Sequence, residues 1–166
     1  MMHRLLFLAL AGAACARGGV PADATPAGQE QPAAADTVRG TVDMTGSEPG
    51  VIFVVVDAAG GVSELEGERA FLQQFVGLEV VVEGTRVGAK TFRVTDVRVR
   101  AADGVPAVDG VLAREGGRDV LVMRDGSRRT VARLPEALRG RVGARIWMAG
   151  PLDGDIVSFG VIADRR

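Results

Sequence analysis

From Val38 onward the chain runs in short Val-rich stretches separated by Gly, Asp and Glu-Gly punctuation, the pattern of short strands joined by turns. In Glu79-Val80-Val81-Val82-Glu83, strict alternation sets Val80 and Val82 on one face and Glu79, Val81 and Glu83 on the other. A later stretch repeats the scheme, with Ile146 and Met148 facing inward and Arg145, Trp147 and Ala149 facing outward. The pattern predicts strands over 38–44, 51–57, 61–65, 79–84 and 91–100. A second set is expected over 107–114, 119–124, 128–132, 145–150 and 155–162. Between the third and fourth strands of the first set, Phe71, Leu72 and Phe75 fall at helical spacing, which predicts a short helix over 68–75. The corresponding piece of the second set, 135–138, opens on Pro135, a residue that a helix tolerates in its first turn.

The two sets form an internal repeat. Val38-Arg39-Gly40-Thr41-Val42 aligns with Val108-Asp109-Gly110-Val111-Leu112, and Phe53–Asp57 with Leu121–Asp125. Val76-Gly77 and the strand closing on Gly84 align with Val142-Gly143 and the strand closing on Gly150. The offset falls from 70 to 66, so the second copy is expected to be four residues shorter in its middle. Strand–strand–strand–helix–strand–strand is the order of the OB-fold, a small five-stranded barrel. The Val-x-Gly opening, the short helix ending in Val-Gly and the alternating strand ending in Gly resemble small bacterial exported proteins with OB-like domains. The resemblance covers nearly all of 38–162, and it implies a fold and little about activity. The expected fold is therefore mainly β, with two tandem OB-like barrels at 38–101 and 105–166, each with one short helix. A unit of about 60 residues buries only roughly 60% of its unfolded surface and is marginal alone. The short link from Ala101 to Pro106 favours two barrels packed on each other.

The start of the chain has a different character. An apolar run of 12 residues, Leu5 to Ala16, follows a weakly positive Met-Met-His-Arg. It falls short of the roughly 20 residues that span a bilayer and has the flanks of a signal peptide. Gly12-Ala13-Ala14-Cys15 resembles a bacterial lipobox, with Gly12 where an aliphatic residue is usual, which makes residues 1–15 the signal and Cys15 the lipidation site. The competing reading is Ala14-Cys15-Ala16 as an ordinary signal-peptidase site that discards the Cys. Residues 16–37 hold three prolines among Ala, Gly and polar residues, a composition expected of a disordered tether.

Composition restricts the chemistry. The 166 residues carry 20 basic and 21 acidic side chains, no Tyr, and one each of His3, Cys15, Trp147 and Lys90. With a lone Cys no intrachain disulfide is possible, and removal of the signal peptide removes the only His. Ser47, Ser63, Ser127 and Ser158 then lack a His base, and Ser–Lys chemistry rests on Lys90 alone, so no catalytic residue and no cofactor is assigned. Glu64, Glu66 and Glu68 alternate and read as a solvated face before a cation site, and Asp153-Gly154-Asp155 reads as a turn. No metal site is assigned.

Net charge divides unevenly. Residues 38–100 carry seven basic and nine acidic groups, net −2, and residues 105–166 carry eleven and eight, net +3. Arg124, Arg128, Arg129 and Arg145 belong to the basic second copy, a candidate face for an anionic small or polymeric ligand such as an oligosaccharide. Nucleic acid is disfavoured as a partner, because most aromatic residues fall at core-facing positions rather than on a stacking surface. Trp147, on the outer face beside Arg145 and matched by Val81 in the first copy, marks an inter-domain or partner surface. A register slip of one residue would instead place Trp147 in the core. The expectation is an exported, lipid-anchored, non-catalytic binding or adaptor protein of the bacterial cell envelope, with an envelope protein as partner and oligomeric state open.

Overall fold

A computed structural model describes residues 35–47 and 49–164. The expected signal peptide, Cys15 and most of the tether lie outside these residues. The described part is mostly β. The strands are β1 (Asp36–Thr45), β2 (Ile52–Val56), β3 (Val62–Glu66), β4 (Leu78–Arg86), β5 (Thr91–Ala102), β6 (Val105–Glu115), β7 (Arg118–Val122), β8 (Arg128–Thr130), β9 (Arg145–Ala149) and β10 (Ser158–Ala163). One α-helix, α1 (Arg69–Gln73), lies between β3 and β4, and a 3-10 turn (Glu136–Leu138) lies between β8 and β9.

In the first half the pairings form a cycle. β1 pairs with β2 and β4, β2 with β3, β4 with β5, all antiparallel, and a parallel pairing of β3 with β5 completes it. A ring of five strands requires sharp bends, and Gly40 supplies one. β1 pairs with β4 up to Thr41 and with β2 from Thr41 onward. A Cβ at Gly40 would lie 2.1 Å from the Val56 carbonyl oxygen, so any larger residue there would block the bend. Helix α1 is too short to be stable alone. Buried Leu72 and Phe75 hold it, with Phe71 edge-on to Phe75 at 5.0 Å.

The second half repeats the pairings of β6 with β7 and β9, β7 with β8, and β9 with β10. Gly110 takes the place of Gly40, its would-be Cβ 2.5 Å from the Val122 carbonyl oxygen. The last pairing differs: among the described residues β8 pairs only with β7 and β10 only with β9, and Ala132 N–H, just after β8, donates instead to the Leu152 carbonyl of the β9–β10 loop.

The register corrects the alignment of the repeat. Thr41 faces Val56 and Val111 faces Val122, so Val56 and Val122 are equivalent, two residues away from the sequence alignment of Phe53–Asp57 with Leu121–Asp125. The turns agree: Asp57 N–H donates to the Gly61 carbonyl as Met123 N–H donates to that of Ser127. The four residues missing from the second copy therefore all fall between its first two strands. There Gly116 and Gly117 (φ +54° and +80°) form a tight turn in place of the longer loop between β1 and β2.

The expected link between the halves is a hairpin. Ala102 faces Val105 across Asp103-Gly104, both at positive φ (+49° and +76°). Residues Ala34–Arg166 form one compact unit. Its first apolar core holds Val42, Val55, Phe75, Val80, Val82, Phe92 and Val97 of the first half together with Ala107, Ala149 and Ile162 of the second. A second core, with Leu112, Leu121, Leu138, Ile146 and Met148 at its centre, lies within the second half.

Candidate functional site

Two of the arginines that the sequence singles out, Arg124 and Arg145, meet where the two halves touch. Arg145, on β9, reaches across to β5 and β6. Its Nε and Nη2 donate to Asp109 Oδ2 at 3.0 and 2.6 Å, its Nη1 to Asp96 Oδ1 at 2.6 Å, and its Nη2 also to the Val97 carbonyl at 2.6 Å. Arg124, from the turn between β7 and β8, places Nη1 2.6 Å from Asp96 Oδ2 and 2.8 Å from Glu83 Oε2. Arg98, on β5, meets Glu83 Oε1 at 2.6 Å. Three guanidinium groups and three carboxylates thus form one charge-balanced network. Burial opposes the charge on Arg145, but the hydrogen bonds and charges of Asp96 and Asp109 outweigh it and hold the guanidinium above its ordinary pKa. One polar atom is left over: Arg98 Nε is buried without a partner.

Alternation along β9 places Trp147 on the same face as Arg145, and the first core lies under that face. Trp147 is half-buried and packs against that core. Its indole lies over Gly160 on β10, where an added Cβ would come within 2.6 Å of Nε1. Ile146 and Met148 are fully buried on the opposite face, as the alternation requires. Ala149, expected on the outer face, is fully buried because that face meets the first core. Val81, the first-copy counterpart of Trp147, is 7% exposed and offers a partner little surface.

Arg124, Asp109 and Met123 line two clefts of about 280 and 200 Å³, the first also walled by Asp96 and Arg145 and the second by Arg98 and Arg100. The equivalent place in the first half is an open cleft of about 620 Å³. There Glu79 stands where Arg145 does and Arg39 where Asp109 does, so the polarity is reversed.

The other arginines of the second half are dispersed. Arg128 pairs with Glu115 at 3.0 Å, Arg133 with Asp155 at 2.6 Å and Arg114 with Asp119 at 2.7 Å. The Arg129 side chain makes no hydrogen bond or ion pair among the described residues and is exposed on the wall of a 430 Å³ cleft beside Val108, Pro151 and Leu152. Arg124 and Arg145 are thus held by carboxylates of the same chain, and of the four named arginines Arg129 alone is left to meet an external anion.

Asp96, Asp109 and Glu83 complete the network and were not singled out by sequence. A carboxylate in mid-strand next to valines, as at Asp96, was the available signal. Glu66 pairs with Arg93 at 3.0 Å. Among the described residues no three His, Cys, Asp or Glu side chains come together as a metal site. Among these residues too, no helix is long and apolar enough to cross a membrane. Phe53, Phe75 and Phe92 are buried, whereas Phe159 is 38% exposed. No family model, curated protein or solved structure matches the chain.

Proposed function

We propose that this chain is a non-catalytic adaptor of the bacterial cell envelope that works through protein–protein contacts. The observation that carries the reading is apolar side chains left exposed on strands and their ends: Met44, Ile52 and Val62 in the first half, Val111, Val157 and Phe159 in the second, each between 38% and 66% exposed. An apolar side chain exposed on a strand is surface that a protein partner can cover. Both halves are read as OB-like barrels. The cyclic order of β1 to β5, the parallel pairing of β3 with β5 and the helix between β3 and β4 support this for the first half. Export and lipidation at Cys15 rest on the leader sequence. The test is co-purification from detergent-solubilised envelopes after cross-linking in the native host. Specific envelope proteins should be captured, and a mature mass carrying acyl chains on Cys15 should accompany them. Failure to capture any specific envelope protein at native expression would refute the adaptor role, and a mature chain without Cys15 would refute the anchor.

A further inference from the structure

We infer that the open cleft around Gly40 is a docking site for the strand face of a partner protein, which sets a lysine or arginine against Glu79 as the first half sets Asp96 against Arg145. The inference rests on the adaptor reading and gives it a place and a chemistry.

The internal repeat supplies the template. The 620 Å³ cleft of the first half and the 280 Å³ cleft of the second have equivalent walls. Gly40, Thr41, Val56 and Ala58 of the first stand where Gly110, Val111, Val122 and Arg124 stand in the second. The turns that carry Ala58 and Arg124 match as well, with Gly60 and Gly126 at φ +82° and +80°. What differs is the cover. The second cleft has Asp96 in its wall, a residue of β5 in the first half. Beside it the Val97 carbonyl accepts from Arg145 Nη2, and Glu83 of β4 meets Arg124. The second cleft is thus the seat on which the first half rests. The first cleft has the same walls, and among the described residues none of the second half lines it.

Charge selects the occupant. From its own half the second cleft has Arg124 and Arg145 against Asp109, and what meets these arginines is anionic, Asp96 and Glu83. The first cleft has Asp57 and Glu79 against Arg39, the opposite balance, so its complement is a cation. The side chains of Arg39 and Glu79 are exposed and make no hydrogen bond or ion pair among the described residues. Arg145 is held between Asp109 of its own half and Asp96 of the other. With the signs exchanged, Glu79 stands between Arg39 and a cation that the partner supplies. Its carboxylate can also accept from a strand N–H, where the Arg145 guanidinium donates to a strand carbonyl.

A second copy of the chain does not meet this requirement. β10 is the counterpart of β5, and Ser158 opposite Ala149 takes the place of Asp96 opposite Glu83. That strand brings no charge to Glu79. Residues 16–34 hold one cation, Arg17, two positions after the expected anchor at Cys15.

The probe is a fluorescein-labelled hexapeptide, Val-Thr-Lys-Val-Thr-Val, which follows β5 from Val94 to Val99 with Lys in place of Asp96 and Thr in place of Arg98. The same peptide with Glu for the Lys is its counterpart, and both are titrated by anisotropy against the full chain. The Lys peptide should bind and the Glu peptide should bind much more weakly. Glu79→Gln should weaken the Lys complex about threefold to fivefold, as removal of one exposed ion pair does. Glu79→Arg should reverse the preference in favour of the Glu peptide, a result that a merely unfolded variant cannot give. Ala58→Arg, which copies Arg124 into the first cleft, should weaken the Lys complex and strengthen the Glu complex. A benzoylphenylalanine in the peptide should cross-link to 39–41 or 56–59. The inference is overturned by equal binding of both peptides, by no binding, or by cross-links that map outside this cleft. It is equally overturned if sedimentation shows a dimer that Glu79→Arg dissociates, since the occupant is then a second copy. Binding of the Lys peptide only after deletion of residues 16–34 also overturns it, since the occupant is then the chain's own tether. None of these outcomes removes the adaptor role, which stands or falls on the capture of envelope partners.

Discussion

Replacement of Arg145 by Ala tests whether the ionic network holds the two halves together. The guanidinium is 24% exposed and makes four hydrogen bonds, to Asp109, Asp96 and the Val97 carbonyl. Its loss strands Asp109, 11% exposed, and leaves a β5 carbonyl without its donor, while Asp96 keeps Arg124. Removing one member of a fully buried pair costs about 3–5 kcal/mol, and the residual exposure together with the surviving Arg124 contact lowers the expected loss to about 2–3 kcal/mol. For a unit of this size that is a fall in Tm of about 10 °C. Urea denaturation followed by the emission of Trp147 measures it. Asp109→Ala in the Arg145→Ala background should add clearly less than it costs in the wild type, because the two groups share one interaction. Arg141→Ala is the control: its pair with Asp164 is 49% and 66% exposed and should contribute less than about 1 kcal/mol. If Arg145→Ala costs no more than Arg141→Ala, the network is a surface feature and the account of the junction is wrong.

Three further outcomes are expected. Gly40→Ala and Gly110→Ala force a Cβ to within 2.1 and 2.5 Å of a carbonyl oxygen and should each cost about 3 kcal/mol in denaturant titrations, where a loss below about 0.5 kcal/mol would refute the close approach. Trp147, half-buried over Gly160 and the first core, should emit at a blue-shifted maximum in the native chain and move to the red on unfolding. Trp147→Ala should cost about 2–3 kcal/mol, less than a fully buried Trp because part of the ring is exposed. The side-chain and backbone hydrogen bonds of Ser127 hold the exposed Asp125 carboxyl below its ordinary pKa near 3.8. A depressed carboxylate stabilises the fold above that ordinary value and ceases to as the pH falls through the lowered one. Ser127→Ala should therefore move the Asp125 midpoint upward in an NMR titration, and an unchanged midpoint would remove the hydrogen bond as its cause.

Much of the architecture was legible because it is local. Alternation in 79–84 and 145–150 located β4 and β9 to within about two residues, since the two-residue period of a strand is written directly into which side chains are apolar. Turn glycines located the strand ends and the repeat. The alignment of the second strand was two residues off because valines are interchangeable along a strand. Only the hydrogen-bonded register, fixed by the bends at Gly40 and Gly110, separates one valine from the next.

By itself the sequence determined a mainly β chain of two similar copies, the buried faces of β4 and β9, and a chemistry poor in nucleophiles and bases. Each of these depends on residue type and near-neighbour spacing. The tertiary structure decided what depends on contacts between distant residues. Asp96 and Asp109, thirteen positions apart, converge on one guanidinium because the Asp103-Gly104 turn folds β5 back onto β6. Trp147 lies on the outer face of its own sheet and yet is half-buried, because the other half supplies the cover. The third and fifth strands pair in the first copy and not in the second, where Ala132 donates to Leu152 instead and Phe159 is left 38% exposed. No spacing within either copy records that difference, since closure of a ring is set by the summed bends of all its strands.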